Sequence, residues 1–511
     1  MSIDPGAITK DMEGGDVKHM ETSGRGGLTA EEIDFIDNFP EEKRKKVLAK
    51  IDGQWRLMPM LTILYLVAYI DKANIGNAKI EGLLENLHMT GDQYNIALSI
   101  YFIPYILAEV PSNMILNKFQ RPSQYMALIM FLWGCMVVST SFIHNFGQLC
   151  AVRILLGLFE AGFFPGALLI ISKWYLPFET QTRVAILYTS AATGGAFSGV
   201  LAFAIAKLGG QGGLESWRWI FLIEGLFTVL GAAGTYFLLV DSPQLSGWLT
   251  DEEKRYLTLR QVARSYVNTG EGELKAFDRA ALFDVLKDWK VYLLTIMSWS
   301  NAAPNYGLKF SMPSITQGMG FTSANAQLMT IPPYMCGAIS SYALSRLADR
   351  YKWRMPFIVG PQLCVLVAFS VLMAKAEFIK QNLGVCYFAV CLACSGMYPI
   401  LPGVTAWNVD NTPNAARRAI SIGYLACAGT IGGVYGSYIY KDDEKPKYTT
   451  GYGASLGFAV GGILAALTLE FVLFTINKKR AHVSEAEVRA RYTEDELEIM
   501  GDRSPLFKYH L

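Results

Sequence analysis

Charged side chains standing inside long apolar blocks are where this sequence could do chemistry: Asp71, Lys72, Glu109, Arg153, Glu160, Glu224 and Lys309. A charge at bilayer depth is costly unless it meets a partner or a water-filled path. Both signs occur, so most of these groups can pair. A carboxyl deprived of water holds its proton more tightly, and a nearby cation reverses that. Movement of one basic partner would therefore switch a carboxylate between holding and releasing a proton. The chemistry that suits these residues is proton handling together with binding of an ionic solute. The plain alternative is a static lock of ion pairs.

Their spacing supports one shared cavity. If the first apolar block runs outward and the fourth inward, Asp71 and Arg153 both lie roughly 10 Å below the outer boundary, at 1.5 Å per residue. They stand at matching depth with opposite sign, which predicts that they pair in at least one state. Arg153 and Glu160 are two helical turns apart and share a face. Lys72 can join this group or snorkel outward. Lys309 has no acid within a turn or two on its own helix, and an unpaired buried cation invites an anionic ligand. Tyr306, one turn earlier, could stack on an aromatic solute. Tyr69, Tyr101 and Tyr398 are further candidates to line the cavity and donate hydrogen bonds. Glu109, before Pro111, reads as a packing or gate residue, and Glu224 as structural.

The elements that must position these groups are membrane helices. Hydrophobic residues make up 52% of the chain and charged ones 17%, against about a quarter in soluble domains. Mean hydropathy is +0.26. Twelve apolar blocks of bilayer-spanning length are predicted, near 57–78, 94–116, 124–143, 147–171, 183–207, 217–240, 291–317, 326–347, 355–375, 383–405, 417–440 and 453–477. They are called spans one to twelve below. A polar linker, 241–290, separates a first half (56–240) from a second (291–477), so a site is expected between two repeated halves. The even count puts both termini on one side. Basic residues crowd the short loops of that side, from Lys118 and Arg121 to Arg417 and Arg418, which predicts cytoplasmic termini. The tails are 1–55, expected to be disordered, and 478–511. Gly195 and Gly199, and the series Gly453, Gly457 and Gly461, suggest close helix packing.

Other function classes find little support. The net charge of +1 says nothing about a polyanionic partner, and no basic stripe with interleaved aromatics suggests nucleic acid. The polar start is not a cleaved signal peptide. The eight cysteines fall in apolar segments, as small buried residues do, and no metal spacing, phosphate loop or nucleophile elbow occurs. Neither a cofactor nor an enzyme activity is expected.

Several stretches carry a family resemblance. The loop SRLADRYKWR (345–354) resembles the second-half loop motif of the major facilitator superfamily, with Asp349 and Arg350 at its acidic-basic core. YIDKANIGNA (69–78), YFIPYILAEVPSNMIL (101–116) and VRILLGLFEAGFFPGALLIISKWY (152–175) are together similar to its anion:cation symporter branch, and FTSANAQLMTIPPY (321–334) and the ending SPLFKYHL to fungal nicotinate-permease-like members. The resemblance implies an all-α membrane protein of twelve helices in two six-helix halves. It implies Asp71 and Glu160 as proton carriers, Arg153 as the basic partner, and a gating role for Asp349 and Arg350. Lys72 departs from the family's arginine, which weakens bidentate clamping there. The expected function is proton-coupled uptake of a small organic anion, nicotinate being the best single guess, by a monomer in the plasma membrane. An exchanger without proton coupling, or a sensor without transport, would use the same fold.

Overall fold

The computed structural model describes residues 28–511 apart from 53–56, 117, 120, 176, 270–278, 494–495 and 498–499. Twelve helical rods stand where the apolar blocks predict them. Some are broken: span two is Gly91–Ser99 followed by Phe102–Leu116, and span four is Phe146–Glu160 followed by Phe163–Trp174. Span two starts three residues before the predicted boundary because Thr90 and Gln93 form a capping box, each side chain accepting from the other's backbone. The break in span four falls at Ala161–Gly162, ahead of Pro165, which cannot donate to the carbonyl four residues earlier.

The helix pairings of the first half repeat in the second. Span three packs on span six as nine packs on twelve, two on four as eight on ten, and one on five as seven on eleven. The halves then meet through spans one and seven, two and eleven, and five and eight. Among the described residues seven helices are long and apolar enough to cross a membrane by composition alone, and spans three, six, nine and twelve are among them. Spans one, five, seven, eight and eleven fall outside that set. They are helices through which the halves meet, and the faces they turn to that interface can carry polar groups.

The glycine expectation holds only in part. Gly195 and Gly199 press against Tyr334 and the backbone of Gln327, whereas open space lies in front of Gly453 and Gly457, and nothing stands closer than 4.0 Å to a Cβ at Gly461. A glycine spacing marks a face but not whether that face turns inward.

The described residues near both chain ends, 28–52 and 478–511, form helices and contacts with the rest of the protein. Within the stretch expected to be disordered, Ala30–Asp37 and Glu41–Asp52 are helices; the first is capped by Thr29, and Phe39 after it stacks on Tyr256 of the linker helix Asp251–Thr269. Val47 and Ile51 bury their side chains, which a reading of charge alone overlooks. Residues 1–27 lie outside the described residues. At the other end Leu511 accepts the Arg354 backbone N–H at 2.7 Å. We call the side bearing both ends the terminal face and its opposite the far face.

Candidate functional site

Span two and span four approach closely enough at Gly157 that a Cβ there would meet the Tyr101 carbonyl at 2.1 Å. Glycine at that position lets the Tyr101 hydroxyl donate to Glu160 Oε2 at 2.8 Å. Lys72 Nζ reaches Glu160 Oε1 at 3.0 Å, and the same ammonium lies 4.7 Å from the centre of the Tyr105 ring. Glu160 is fully buried at the break in span four, so its charge is carried by this one lysine and one phenol. A point-charge ammonium suffices here because a single oxygen is gripped.

Asp71 is one residue from Lys72 but turns the other way. Its Oδ2 accepts from Trp133 Nε1 and from Thr228 Oγ1, each at 2.8 Å, while Oδ1 has no hydrogen-bond partner. The predicted Asp71–Arg153 pair is therefore not made in this conformation. Consecutive residues on a helix project about 100° apart, so Asp71 faces spans three and six while Lys72 takes the acid of span four. Arg153 is buried, its Nε and one terminal nitrogen lack acceptors, and Tyr94, Tyr101, Glu160 and Asp71 are the polar groups around it. Glu224 is buried on span six near Asp71 and Asn74.

The second half brings Lys309 to the same interface. A Cβ at Gly76 would lie 2.9 Å from the Phe310 carbonyl, so glycine is what lets spans one and seven touch. Lys309 Nζ then sits 3.5 Å from the centre of the Tyr69 ring, with no hydrogen-bond acceptor. A cation over an aromatic face is worth about 2 kcal/mol when desolvated, less than a full ion pair in such a place. The Tyr69 hydroxyl meets that of Tyr398 at 3.2 Å. Tyr306 packs edge-on against Phe102 at 5.1 Å and beside Phe310 at 6.2 Å. Lys309, Tyr306 and Tyr398 of the second half thus join Tyr69 of the first on one interface.

The proposed gate residues fall in different places. Glu109 accepts from the Cys427 thiol at 3.5 Å, joining spans two and eleven across the halves. Asp349 pairs with Arg354 at 2.6 Å, and Arg354 also reaches Asp410 at 2.8 Å. Arg350 is exposed, and Arg354, four residues later in the same motif, is the residue that links the helix ends. On the far face Lys79 pairs with Asp442 at 2.8 Å, Gln327 donates to Glu81 at 3.0 Å, and Ser323 donates to the Ile80 carbonyl at 3.3 Å. Burial raises the Asp442 carboxyl, but Lys79 and Lys445 outweigh it and hold the group below the usual carboxylate range.

Trp133, Thr228 and Tyr105 were not legible as site residues. Tryptophan and threonine in an apolar block carry no period or motif that separates a carboxylate partner from packing.

The Major Facilitator Superfamily model matches residues 61–437. The chain is 37% identical to the MFS-type transporter cnsO of Penicillium expansum, covering 93% of this chain and 92% of that one. It is 30% identical to the high-affinity nicotinic acid transporter of Saccharomyces cerevisiae, covering 94% of this chain and 88% of the relative. Among solved structures, a bacterial homologue of the human lysosomal transporter Spinster, inward-facing and unoccupied, matches with a TM-score of 0.63 at 17% identity, over 81% of this chain and 95% of that one. With the family model spanning most of both halves and relatives alike over nearly their full length, the chain belongs to the Major Facilitator Superfamily of membrane transporters.

Proposed function

We propose that the chain carries a small organic anion inward together with protons, by alternating access, as an anion:cation symporter of the plasma membrane with both termini cytoplasmic. The observation that carries this reading is the Lys309 ammonium, buried at the interface of the halves without an acceptor. A carboxylate placed against it would gain a charge-assisted bond that Tyr69 cannot supply. Tyr306, Phe102 and Phe310 offer an aromatic wall for a ring-bearing solute. Nicotinate combines both features, and the yeast relative is named for nicotinic acid.

Coupling follows from the Lys72–Glu160 pair. A proton arriving on Glu160 cancels the charge that holds Lys72, freeing the ammonium for the anion or for Tyr105. Asp71, held by Trp133 and Thr228, is the second proton candidate. The ties Lys79–Asp442 and Gln327–Glu81 act as the far-side gate, and Glu109, Asp349 and Arg350 as gate residues nearer the terminal face. Uptake of radiolabelled nicotinate, pantothenate, allantoate and tartrate by cells expressing the chain, at external pH 5 and pH 7.5, tests this. Accumulation of one carboxylate that rises at the lower pH and collapses with a protonophore is expected. Flux indifferent to the proton gradient would make the protein an exchanger or facilitator.

A further inference from the structure

Glu224 has no place in that scheme, yet its surroundings are unusual. It is 3% exposed, and no group closes a hydrogen bond of ordinary geometry on either carboxyl oxygen, the Asn74 side chain being the donor that acts on it. Asp71, 2% exposed, leaves Oδ1 bare, and Asn74, 0% exposed, leaves its Nδ2 bare. Asp71 and Asn74 are three residues apart on span one, and Glu224 and Thr228 four apart on span six, so each pair shares one helix face. Thr228 stitches the faces together: its Oγ1 lies 2.8 Å from Asp71 Oδ2 and 3.1 Å from the Glu224 carbonyl. Two buried carboxyls therefore stand within about one helical turn of each other.

Among the described residues no cation forms an ion pair with either of them. Lys72 is committed to Glu160. On span three the polar group facing Asp71 is Trp133. In the turn after span one Lys79 and Glu81 are taken by Asp442 and Gln327, and Arg183 of span five is bound to Asp52 at the terminal face. On span six itself Arg218 pairs with Glu215 and donates to the Ser141 and Ile143 carbonyls. Arg153 of span four acts on Asp71 electrostatically, as it does on Tyr94, Tyr101 and Glu160, but makes no ion pair with it. Two buried carboxylates cannot both stay ionised without a counter-charge, and such pairs titrate as one unit.

We propose that Glu224 is a proton-carrying residue, sharing a single transported proton with Asp71. Trp133 and Thr228 stabilise Asp71 as an anion, and the neighbouring Glu224 is what makes the pair keep a proton. The proton enters from the far side, is held by the two carboxyls and leaves toward the terminal face, with no bond made or broken elsewhere. Asn74, with its bare amide, orients the carboxyl that is charged at a given moment.

This rests on the proton-coupled reading above, and the test separates the two. Proton and substrate fluxes are measured together in proteoliposomes holding the full chain, with nicotinate or whichever carboxylate the uptake panel selects. Glu224→Gln, nearly isosteric, should lower the protons moved per substrate by one while counterflow exchange and substrate affinity stay within about twofold. Glu224→Asp should keep the wild-type count. Should Glu224→Gln fail to fold, Asp71→Asn applies the same test, and its count must also fall by one. Glu224→Gln moving as many protons per substrate as wild type would overturn the proposal, as would a double variant that loses two. Wild-type protein that moves no protons would instead overturn the underlying reading.

Discussion

The two halves share helix pairings but divide the charge unequally. The first places Asp71, Lys72, Glu109, Arg153, Glu160 and Glu224 in its interior: Lys72 is tied to Glu160, Glu160 to Tyr101, Asp71 to Trp133 and Thr228, and Glu109 to Cys427, while among the described residues Arg153 and Glu224 make no ion pair. The second contributes Lys309 at the same interface, cushioned by the Tyr69 ring. A half that buries several acids and bases close together, one ion pair closed and other oxygens left bare, can pass protons among them. Lys309, a buried cation with no acceptor and no acid on its own helix face, can recognise an anion. Transport that couples the two needs both at one interface, which is where spans one, two, four and seven bring them.

The sharpest way to break the comparison is to neutralise the first half's centre. Glu160→Gln keeps the hydrogen bond to Tyr101 possible but removes the charge opposite Lys72. Concentrative, pH-driven uptake should fall to background while counterflow exchange persists; full accumulation by this variant would take Glu160 out of the mechanism.

Next in size is the Lys72–Glu160 pair itself. Removing Lys72 alone strands a buried carboxylate, which costs about 3–5 kcal/mol, whereas removing both charges does not. Lys72→Met should reduce the folded yield, and Lys72→Met with Glu160→Gln should restore it, as read by size-exclusion of the detergent-solubilised protein. Additive losses would mean that the two groups do not depend on each other.

Lys309→Ala probes the second half. Loss of a charge-assisted bond of about 1.5–3 kcal/mol should weaken substrate binding roughly ten- to 150-fold. Folding should survive, since this cation has no partner to strand. Lys309→Arg should recover only part of the affinity, because a guanidinium presents a planar fork rather than a point charge. Unchanged binding by Lys309→Ala would leave Arg153 as the residue to test against the carboxylate.

The smallest effect is expected at the far face. Asp442→Asn keeps a hydrogen-bond acceptor for Lys79 and removes one of several ties there, so it should shift the balance toward a far-open state by about threefold, corresponding to about 0.7 kcal/mol. The rate at which a membrane-impermeant thiol reagent labels a cysteine introduced at Ser323 would measure it. No change in rate would mean that Lys79 and Asp442 do not hold the gate.

Much of the architecture was legible because bilayer length and apolar composition are local properties. Twelve blocks, a polar linker and loops rich in basic residues can be read one segment at a time. Candidate residues were legible for a related reason: a charge inside such a block stands out against its neighbours. Asp71, Glu160, Arg153, Lys72 and Lys309 stand out this way, and Tyr101 as a hydrogen-bonding side chain within span two.

What the sequence determined by itself is which groups are costly to bury and roughly how deep each sits. Who satisfies whom was decided only by the tertiary structure. Depth matched Asp71 to Arg153, but the 100° turn between neighbours on span one gives Asp71 to Trp133 and Thr228, and Lys72 to Glu160. Gly157 and Gly76 are ordinary glycines in the sequence; in the fold they are the close approaches that bring Tyr101 to Glu160 and Tyr69 to Lys309. Depth along a helix is fixed by residue count, whereas rotation about its axis is fixed by the helices that pack around it.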